Sequence, residues 1–291
     1  MVFRPDEYLR PRSLEEAVGL AERYGESAVL ISGGITVSEL AKRGFLSDIK
    51  TIIDLEGLRL SWIRVDGAHI KIGASTTYSD LLGHPEFRIP ALMSIHEAAS
   101  NVHPDQVRNM GTVGGAICSG LPFLDLPTGL LPHDATLTIV GPGGGRTVPL
   151  ERFVFALLNE RLNRGEILKE VAVPRAGSGK GSAFAKYGHT ALDLAVLNCA
   201  VSLQLDDEGV IRQARVFAGG KGVDITSPPE SVEALRGARL GDAVVERAGE
   251  AMALALPAVS DTRGSAAFRR YTIKRLLREA LGTAYRRAAT R

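Results

Sequence analysis

Two glycine pairs, each separated by one residue from a threonine, are the residues of this sequence best suited to hold a ligand. They lie in VLISGGIT, residues 29–36, and in TVGGAICSG, residues 112–120. Glycine pairs allow successive backbone N–H groups to point into one concavity, which suits phosphate oxygens. A helix beginning after Thr36 adds its positive end, and the hydroxyls of Thr36 and Thr112 can donate to the same anion. Two such turns indicate a diphosphate held from two sides.

A tight turn without a ligand is the other interpretation of each pair, and for a glycine pair after a strand it is the commoner one. Neither stretch completes the G-x-G-x-x-G fingerprint of Rossmann folds or the G-x-x-x-x-G-K-S/T motif of P-loops. The sequence therefore disfavours a nicotinamide-dinucleotide site of the Rossmann type.

Asp125 is the third candidate. Its neighbours Phe123, Leu124, Leu126 and Pro127 are apolar, and an unpaired carboxylate in such a setting is costly. We therefore expect it to have partners. It either caps a helix that opens at Pro127 or accepts hydrogen bonds from ligand hydroxyls.

Other catalytic arrangements are missing from the sequence. The six histidines form no H-x-x-x-H pair, and no G-x-S-x-G motif is present. Cys118 and Cys199 lie in apolar stretches, and two thiols are too few for an iron–sulfur cluster or a structural zinc site, which need about four ligands. We predict no catalytic side chain and no metal ligand, and we expect both cysteines to pack as small hydrophobic residues.

Strands and short helices are predicted around these residues. Ser13 and Glu16 form a capping box at the start of a helix, and Asp66-Gly67 predicts the turn of a hairpin. The further predicted elements are strands at 28–31, 51–55, 136–140, 146–148 and 167–173 and helices at 37–42 and 90–101.

A linker is predicted at RAGSGK, residues 175–180, between domains spanning 1–176 and 177–291. Strands and helices are mixed without regular βαβ alternation, so the expected class is α+β. Residues 263–291 hold nine Lys or Arg and one acid, Glu279. They form either a solvated face or a docking surface for an acidic partner. Beyond the linker we predict strands at 194–205 and 210–218 and helices at 231–235, 242–256 and 265–289.

Size and charge narrow the classes of function. The chain has 291 residues and a formal net charge of +2, which argues against nucleic acid or another polyanion as a partner. Its start, MVFRPDEYLRPRS, lacks the blocks of a signal peptide. No apolar run approaches the roughly 18–20 residues of a membrane span. We expect a cytoplasmic protein without an integral membrane segment.

Motifs along nearly the whole chain resemble the FAD-binding medium subunit of the molybdenum hydroxylases, a family that includes carbon monoxide and xanthine dehydrogenase flavoproteins. The most specific stretch is QVRNMGTVGGAICSGLPFLDLP, residues 106–127. The resemblance implies an FAD-binding domain of the vanillyl-alcohol-oxidase (PCMH) type, made of two α+β subdomains, and a smaller C-terminal α+β domain with an antiparallel sheet. Shorter matches are FRPDEYLRPRSLEEAV, ISGGIT, IIDL, IGASTTYSDLL, LDLAVLNCAVSL and TRGSAAFRRYTIKRLLREAL.

A set of cofactor-binding residues follows from this resemblance. Asp125 matches an aspartate that binds the ribityl chain, and Lys186 matches a lysine near the cofactor, with an ordinary strand-edge lysine as the alternative. Val102 and Leu168 match positions that pack near the flavin or adenine, and Ser119 belongs to the same set. The residues implied for the FAD diphosphate are Ile31, Ser32, Gly33, Gly34, Ile35, Thr36, Thr112, Gly114 and Gly115.

The chain departs from the family pattern in three places. Ala116 stands where Asn is usual, and His189-Thr190 stands where an arginine is common. The first turn reads SGGIT, where AGG followed by a polar pair is commoner. Because these changes remove hydrogen-bonding groups, the affinity for FAD or the choice of electron acceptor can differ.

The resemblance implies an oxidoreductase subunit that contains FAD. In the family, a large subunit hydroxylates substrate at a molybdenum centre, and electrons pass through two [2Fe-2S] clusters on a small subunit to FAD. The implied partners are therefore a molybdopterin-binding large subunit and a [2Fe-2S] small subunit, in a dimer of heterotrimers. Two alternatives stay open: a stand-alone FAD-dependent oxidoreductase of the same fold, and a non-catalytic assembly subunit that has lost FAD.

Overall fold

Three β-sheets organise the part of the chain that the computed structural model describes, residues 3–175 and 177–290. Their parallel and antiparallel strands, mixed with helices, confirm the predicted α+β class. The chain forms two compact units. The first unit comprises Met1–Asp80, Gln106–Gly120 and Ala135–Pro174, and the second comprises Leu81–Asp105, Leu121–Asp134 and Arg175–Arg291.

The predicted domain boundary between residues 176 and 177 stays a prediction, and Ala176 lies outside the described residues. The two compact units divide the chain at other points. Segments 81–105 and 121–134 belong to the second unit, because their helices pack on the sheet formed by residues 180–226.

A parallel sheet in the first unit carries the first glycine turn. Its strands β1 (Glu7–Leu9), β2 (Ala28–Ile31) and β3 (Thr51–Asp54) are ordered β1-β3-β2. Parallel strands need crossover connections, which here are α1 (Leu14–Tyr24) and α2 (Ile35–Lys42). Since the carboxyl ends of parallel strands share one edge, the residues after β2 lie at that edge.

An antiparallel sheet completes the first unit and contains the predicted hairpin. Its strand order is β4-β5-β8-β6-β7. The predicted hairpin joins β4 to β5, but its two turn residues are Gly67 and Ala68, because Asp66 ends β4 and pairs with His69. The strands are β4 (Ile63–Asp66), β5 (His69–Gly73), β6 (Thr136–Gly141), β7 (Gly144–Pro149) and β8 (Ile167–Pro174).

A bidentate ion pair joins β7 to the residue that precedes β8. Arg146 Nε and Nη2 donate to the two carboxylate oxygens of Glu166 at 2.7 and 2.8 Å, and the Asn163 N–H donates to the same carboxylate. The Arg146 guanidinium, together with that N–H, lowers the pKa of Glu166 to about 2.

Replacing Glu166 with glutamine is expected to lower the free energy of unfolding by about 1–2 kcal/mol at pH 7. Because the folded-state pKa lies below the unfolded value of 4.5, the carboxylate contributes fully above pH 4.5. That contribution is lost as the pH falls toward 2. Urea unfolding at pH 7 and pH 3 measures the difference, with exposed Glu160→Gln as the control. An equal difference at both pH values would contradict the assignment.

Of the remaining helices, those that were predicted begin and end close to their predicted positions. The predicted helix at 90–101 is a 3-10 turn at Pro90–Leu92 followed by an α-helix. No helix among the described residues is long and apolar enough to cross a membrane. The helices are α3 (Tyr78–Gly83), α4 (Met93–Ser100), α5 (Asp105–Met110), α6 (Val113–Cys118), α7 (Asp125–Leu130), α8 (Leu150–Phe155), α9 (Leu158–Arg161), α10 (Pro229–Glu233), α11 (Asp242–Ala255) and α12 (Ala266–Ala289).

The sheet of the second unit is antiparallel and is covered on both faces. In β10, the side chains of Leu197, Cys199 and Val201 join the core beneath α11 and α12, whereas Ala200 packs with Ala98 of α4. Burial on both faces explains why β10 reads as a continuous apolar run. The strands, in the order β12-β11-β10-β9, are β9 (Lys180–Tyr187), β10 (Leu197–Leu205), β11 (Ile211–Gly220) and β12 (Val223–Thr226).

Several cations of the basic C-terminal helix α12 are paired within the second unit. Lys274 bonds to Glu250 at 2.7 Å, Arg278 to Asp242 at 2.7 Å, and Arg287 to Glu97 at 2.5 Å. Arg269 is fully buried and bonds to Asp261. Arg278 stays exposed in its pair, whereas Arg269 is fully buried, so the solvated-face interpretation is wrong for Arg269 alone.

Candidate cofactor site

The first glycine turn follows β2 and starts α2. Gly34 has φ 75°, in the left-handed region that favours glycine, and it is the N-cap residue of α2. A Cβ on Gly33 would lie 1.6 Å from the carbonyl oxygen of Met110 and 3.2 Å from Cγ2 of Thr112. The first turn therefore packs directly against the residues that precede the second glycine pair.

The N-terminus of α2 supplies the free donors that the sequence predicted. The first intrahelical bond runs from the Ser38 N–H to the Gly34 carbonyl, so the N–H groups of Ile35, Thr36 and Val37 have no partner inside the helix. Together with the helix dipole they form a positive end that suits an anion. Before the turn, the Ser32 hydroxyl is bonded to Ser75 at 3.0 Å.

The second glycine pair is not an open turn but the first turn of α6. Thr112 is its N-cap residue, and the threonine Oγ1 accepts from the Gly115 N–H at 3.1 Å. The Val113 N–H donates to the Thr76 carbonyl and the Ala116 N–H to the Thr112 carbonyl. The expectation that this pair turns its N–H groups outward to an anion is therefore wrong, because the chain itself satisfies them.

Gly114 allows α6 to pack closely against the end of β5, and its N–H is not a free donor. Its N–H donates to the Ala74 carbonyl at 2.8 Å. A Cβ on Gly114 would lie 2.8 Å from that oxygen and 2.9 Å from the Ala74 Cβ. Gly114 thus brings α6 against the end of β5, and α6 in turn supports residues 110–112 behind the first turn.

Two further predicted residues lie in the first unit. The Ser119 hydroxyl donates to the Ala116 carbonyl at 2.8 Å at the end of α6. Leu168 lies on β8 opposite Ile139 and is 4% exposed. Both belong to the packing around α6 and β8, which contact each other.

Asp125 is held by two donors in the second unit. Lys186 Nζ donates to its Oδ2 at 2.8 Å, and Asn198 Nδ2 donates to its Oδ1 at 2.9 Å. Burial raises the pKa of Asp125, and the Lys186 ammonium opposes that rise. The capping alternative is wrong, because α7 begins at Asp125 itself, after Leu124, with no side-chain cap. The expectation that the carboxylate has partners is confirmed.

Lys186 also bonds to the backbone of the residue before Val102. Its Nζ donates to the Asn101 carbonyl at 3.1 Å, and Val102 is the next residue along the chain. Lys186 lies on β9, the edge strand of its sheet, but its side chain is 9% exposed and paired with Asp125. Its place near the cofactor stays a prediction. The second unit therefore gathers Asp125, Lys186 and the Asn101 carbonyl into one polar cluster, and Val102 follows that carbonyl along the chain.

Asn198 is the member of this cluster that the sequence analysis missed. It is fully buried on β10 and is the cross-strand neighbour of Lys186. The available signal was a single amide in the apolar run LAVLNCAVSL, residues 194–203. A buried amide in such a run needs a polar partner, and here that partner is Asp125.

Comparison with known proteins agrees with this architecture. Residues 2–176 match the family model of the FAD binding domain in molybdopterin dehydrogenase, and residues 182–284 match that of the CO dehydrogenase flavoprotein C-terminal domain. This chain belongs to the FAD-binding medium subunits of the molybdenum hydroxylases. The resemblance of the sequence motifs to that family is thereby confirmed.

Individual relatives of this medium subunit match over nearly its whole length. The carbon monoxide dehydrogenase medium chain of Hydrogenophaga pseudoflava is 32% identical over 290 residues, which cover 97% of this chain and 98% of that one. The xanthine dehydrogenase FAD-binding subunit of Escherichia coli O157:H7 is 27% identical, with 95% of each chain covered. Both relatives are subunits of dehydrogenases.

A solved structure confirms the fold class of the medium subunit. Carbon monoxide dehydrogenase from Hydrogenophaga pseudoflava, solved in a form that lacks the Mo-pyranopterin moiety, matches with a TM-score of 0.93 and 30% identity. The match covers 99% of this chain and 100% of that one. The sheets of the first unit and the antiparallel sheet of the second are therefore those of this family.

Ala116 and His189, two residues that depart from the family pattern, lie in different environments in the medium subunit. Ala116 is 3% exposed inside α6, so the position usually held by Asn is packed here. His189 follows β9, and its Nε2 lies 2.9 Å from the Arg263 carbonyl on an exposed loop. Within the described chain, neither residue hydrogen-bonds to Asp125 or Lys186.

Proposed function

We propose that this medium subunit binds FAD and transfers electrons from [2Fe-2S] clusters on a partner chain to an external acceptor. When bound, FAD supplies a carrier that accepts electrons one at a time and holds two. The observation that carries the proposal is the first glycine turn, in which the Gly33 backbone lies against Met110 and leaves the N–H groups of α2 open.

The residues present suit the two polar parts of the cofactor. The N–H groups of Ile35, Thr36 and Val37 suit the diphosphate, since a helix N-terminus favours an anion and no Cβ crowds the turn at Gly33 or Gly34. Asp125 suits the ribityl hydroxyls. An ionised carboxylate has about four acceptor positions, and the donors described above use two of them.

The revised role of the second glycine pair changes how the diphosphate is held. Thr112 Oγ1 accepts from Gly115, and its own hydrogen remains for another acceptor. Gly114 and Gly115 support the first turn from behind through α6. The proposed site therefore binds the diphosphate mainly by the first turn rather than from two equal sides.

The proposed partners are a large molybdopterin-binding subunit and a small [2Fe-2S] subunit, arranged as a dimer of heterotrimers in the cytoplasm. The name of the relative in Hydrogenophaga pseudoflava, a medium chain, supports membership of a multi-chain enzyme. The chain itself needs no general base for electron transfer. Its part is to bind the flavin and to exclude other reactions from it.

Titrating the purified chain with FAD tests the proposal. We expect tight binding of one FAD per chain, seen as a flavin absorbance band near about 450 nm that stays with the protein through gel filtration. Co-purification with iron-, sulfur- and molybdenum-containing chains is expected when the neighbouring genes are expressed together. A chain that retains no flavin would favour an assembly subunit, and FAD binding without any partner chain would favour a stand-alone enzyme.

A further inference from the structure

The side-chain oxygen of Asn198 lowers the stability of the fold. Its side chain is fully buried, and its Oδ1 has no hydrogen-bond partner in the described chain. An orphaned buried acceptor costs about 1–3 kcal/mol, and an apolar side chain would avoid that cost. The flanking residues Leu197 and Cys199 are apolar and fully buried. The amide therefore serves something other than packing.

The Asp125 carboxylate fixes the orientation of this amide. An ionised carboxylate only accepts hydrogen bonds, so Asn198 must turn Nδ2 toward Asp125 and its Oδ1 away. On that side lies Gly219, where a Cβ would come within 3.3 Å of the amide oxygen. Gly219, Asn198 and Lys186 are cross-strand neighbours on β11, β10 and β9. This row supports the carboxylate from one side.

The two donors hold separate oxygens of the carboxylate. Lys186 binds Oδ2 and Asn198 binds Oδ1, so rotation of the carboxylate about its Cβ–Cγ bond would break both contacts. Lys186 supplies the counter-charge. Asn198 adds a second fixed contact without adding charge, and each carboxylate oxygen keeps about one acceptor position.

We propose that Asn198 is a positioning residue of the cofactor site, which fixes the Asp125 carboxylate in the orientation that accepts hydrogen bonds from the hydroxyl groups of the ligand. The inference rests on the proposed function, because it takes the polyol chain of FAD as that ligand. Asn198 acts through Asp125 and does not itself contact the cofactor.

Valine and threonine at position 198 separate hydrogen bonding from packing. They have the same shape and suit a strand equally, but only the threonine hydroxyl can donate to Asp125. With the full chain and FAD, we expect Asn198→Val to raise the Kd about tenfold. Asn198→Thr is expected to lose less affinity than the valine variant, because its hydroxyl, although one bond shorter in reach than the amide, can donate to Asp125 after a small shift. Thermal unfolding of the valine variant without FAD is expected to change little, because loss of the orphaned Oδ1 offsets loss of the Nδ2 hydrogen bond to Asp125.

A double-mutant cycle locates the effect at Asp125. When Asp125 is already replaced by asparagine, adding Asn198→Val is expected to cause no further loss of FAD affinity. If the valine variant does not fold, the Kd of Asn198→Ala for FAD is compared with that of Asn198→Thr instead. Equal Kd values for wild type, valine and threonine overturn the proposal, as does an equal loss for both variants. A wild-type chain that binds no FAD overturns the proposed function itself, and this inference with it.

Discussion

Replacing Gly33 with alanine is expected to abolish FAD retention. The added Cβ would lie 1.6 Å from the Met110 carbonyl oxygen, so either the turn after β2 or the segment before α6 must move by more than an ångström. The N–H groups of α2 begin two residues later and move with the turn. Because a misplacement of about 1 Å costs roughly a hundredfold in a positioned site, we expect at least that loss in affinity. The flavin-to-protein absorbance ratio after gel filtration measures it.

Gly19→Ala provides the matched control for that prediction. Gly19 lies inside α1, and a Cβ there meets nothing within 4 Å. The same chemical change should therefore leave FAD binding intact and stabilise the helix by about 0.5–1 kcal/mol. Overpacking at Gly33 also destabilises the first unit by about 1–3 kcal/mol, which thermal unfolding without FAD records separately. Wild-type flavin content in folded Gly33→Ala protein would contradict the proposed site.

The local parts of the site could be predicted from the sequence, because their signals lie within a few residues. Strand 28–31 has the predicted bounds, and the glycine turn and helix follow it as expected. The second glycine pair was misinterpreted although a local signal existed. Thr112 stands three residues before Gly115, the spacing at which an N-cap hydroxyl binds a backbone N–H. That spacing predicts a closed helix start rather than an open turn.

The distant parts of the site could not be predicted from local patterns. Asp125 was expected to need partners, but Lys186 lies 61 residues away and Asn198 lies 73 residues away. Strand β9, which carries Lys186, was missed because KGSAFAKY shows small residues buried on both faces instead of alternation. Which polar side chains meet depends on strand register and on the placement of α7, and both are set by the packing of the whole unit.

Replacing Asp125 with asparagine is expected to affect stability and FAD binding by different routes. The change leaves the Lys186 ammonium, 9% exposed, without a counter-charge. Removing one partner of a buried ion pair typically costs about 3–5 kcal/mol. The amide also accepts ligand hydrogen bonds more weakly than a carboxylate, by an amount equivalent to about a ten- to hundredfold loss of FAD affinity. Urea unfolding and FAD titration measure the two effects independently.

The double variant Asp125→Asn/Lys186→Met separates these two routes. Removing the ammonium as well eliminates the unpaired charge, and the methionine chain fills similar space, so most of the lost stability should return. The FAD affinity should not return, since the carboxylate is still missing. Recovery of both properties would assign Asp125 to the stability of the second unit alone, whereas recovery of stability without affinity is the result expected of a carboxylate that binds the cofactor. The buried pair would then be retained for binding, at a cost in stability that an apolar pair would avoid.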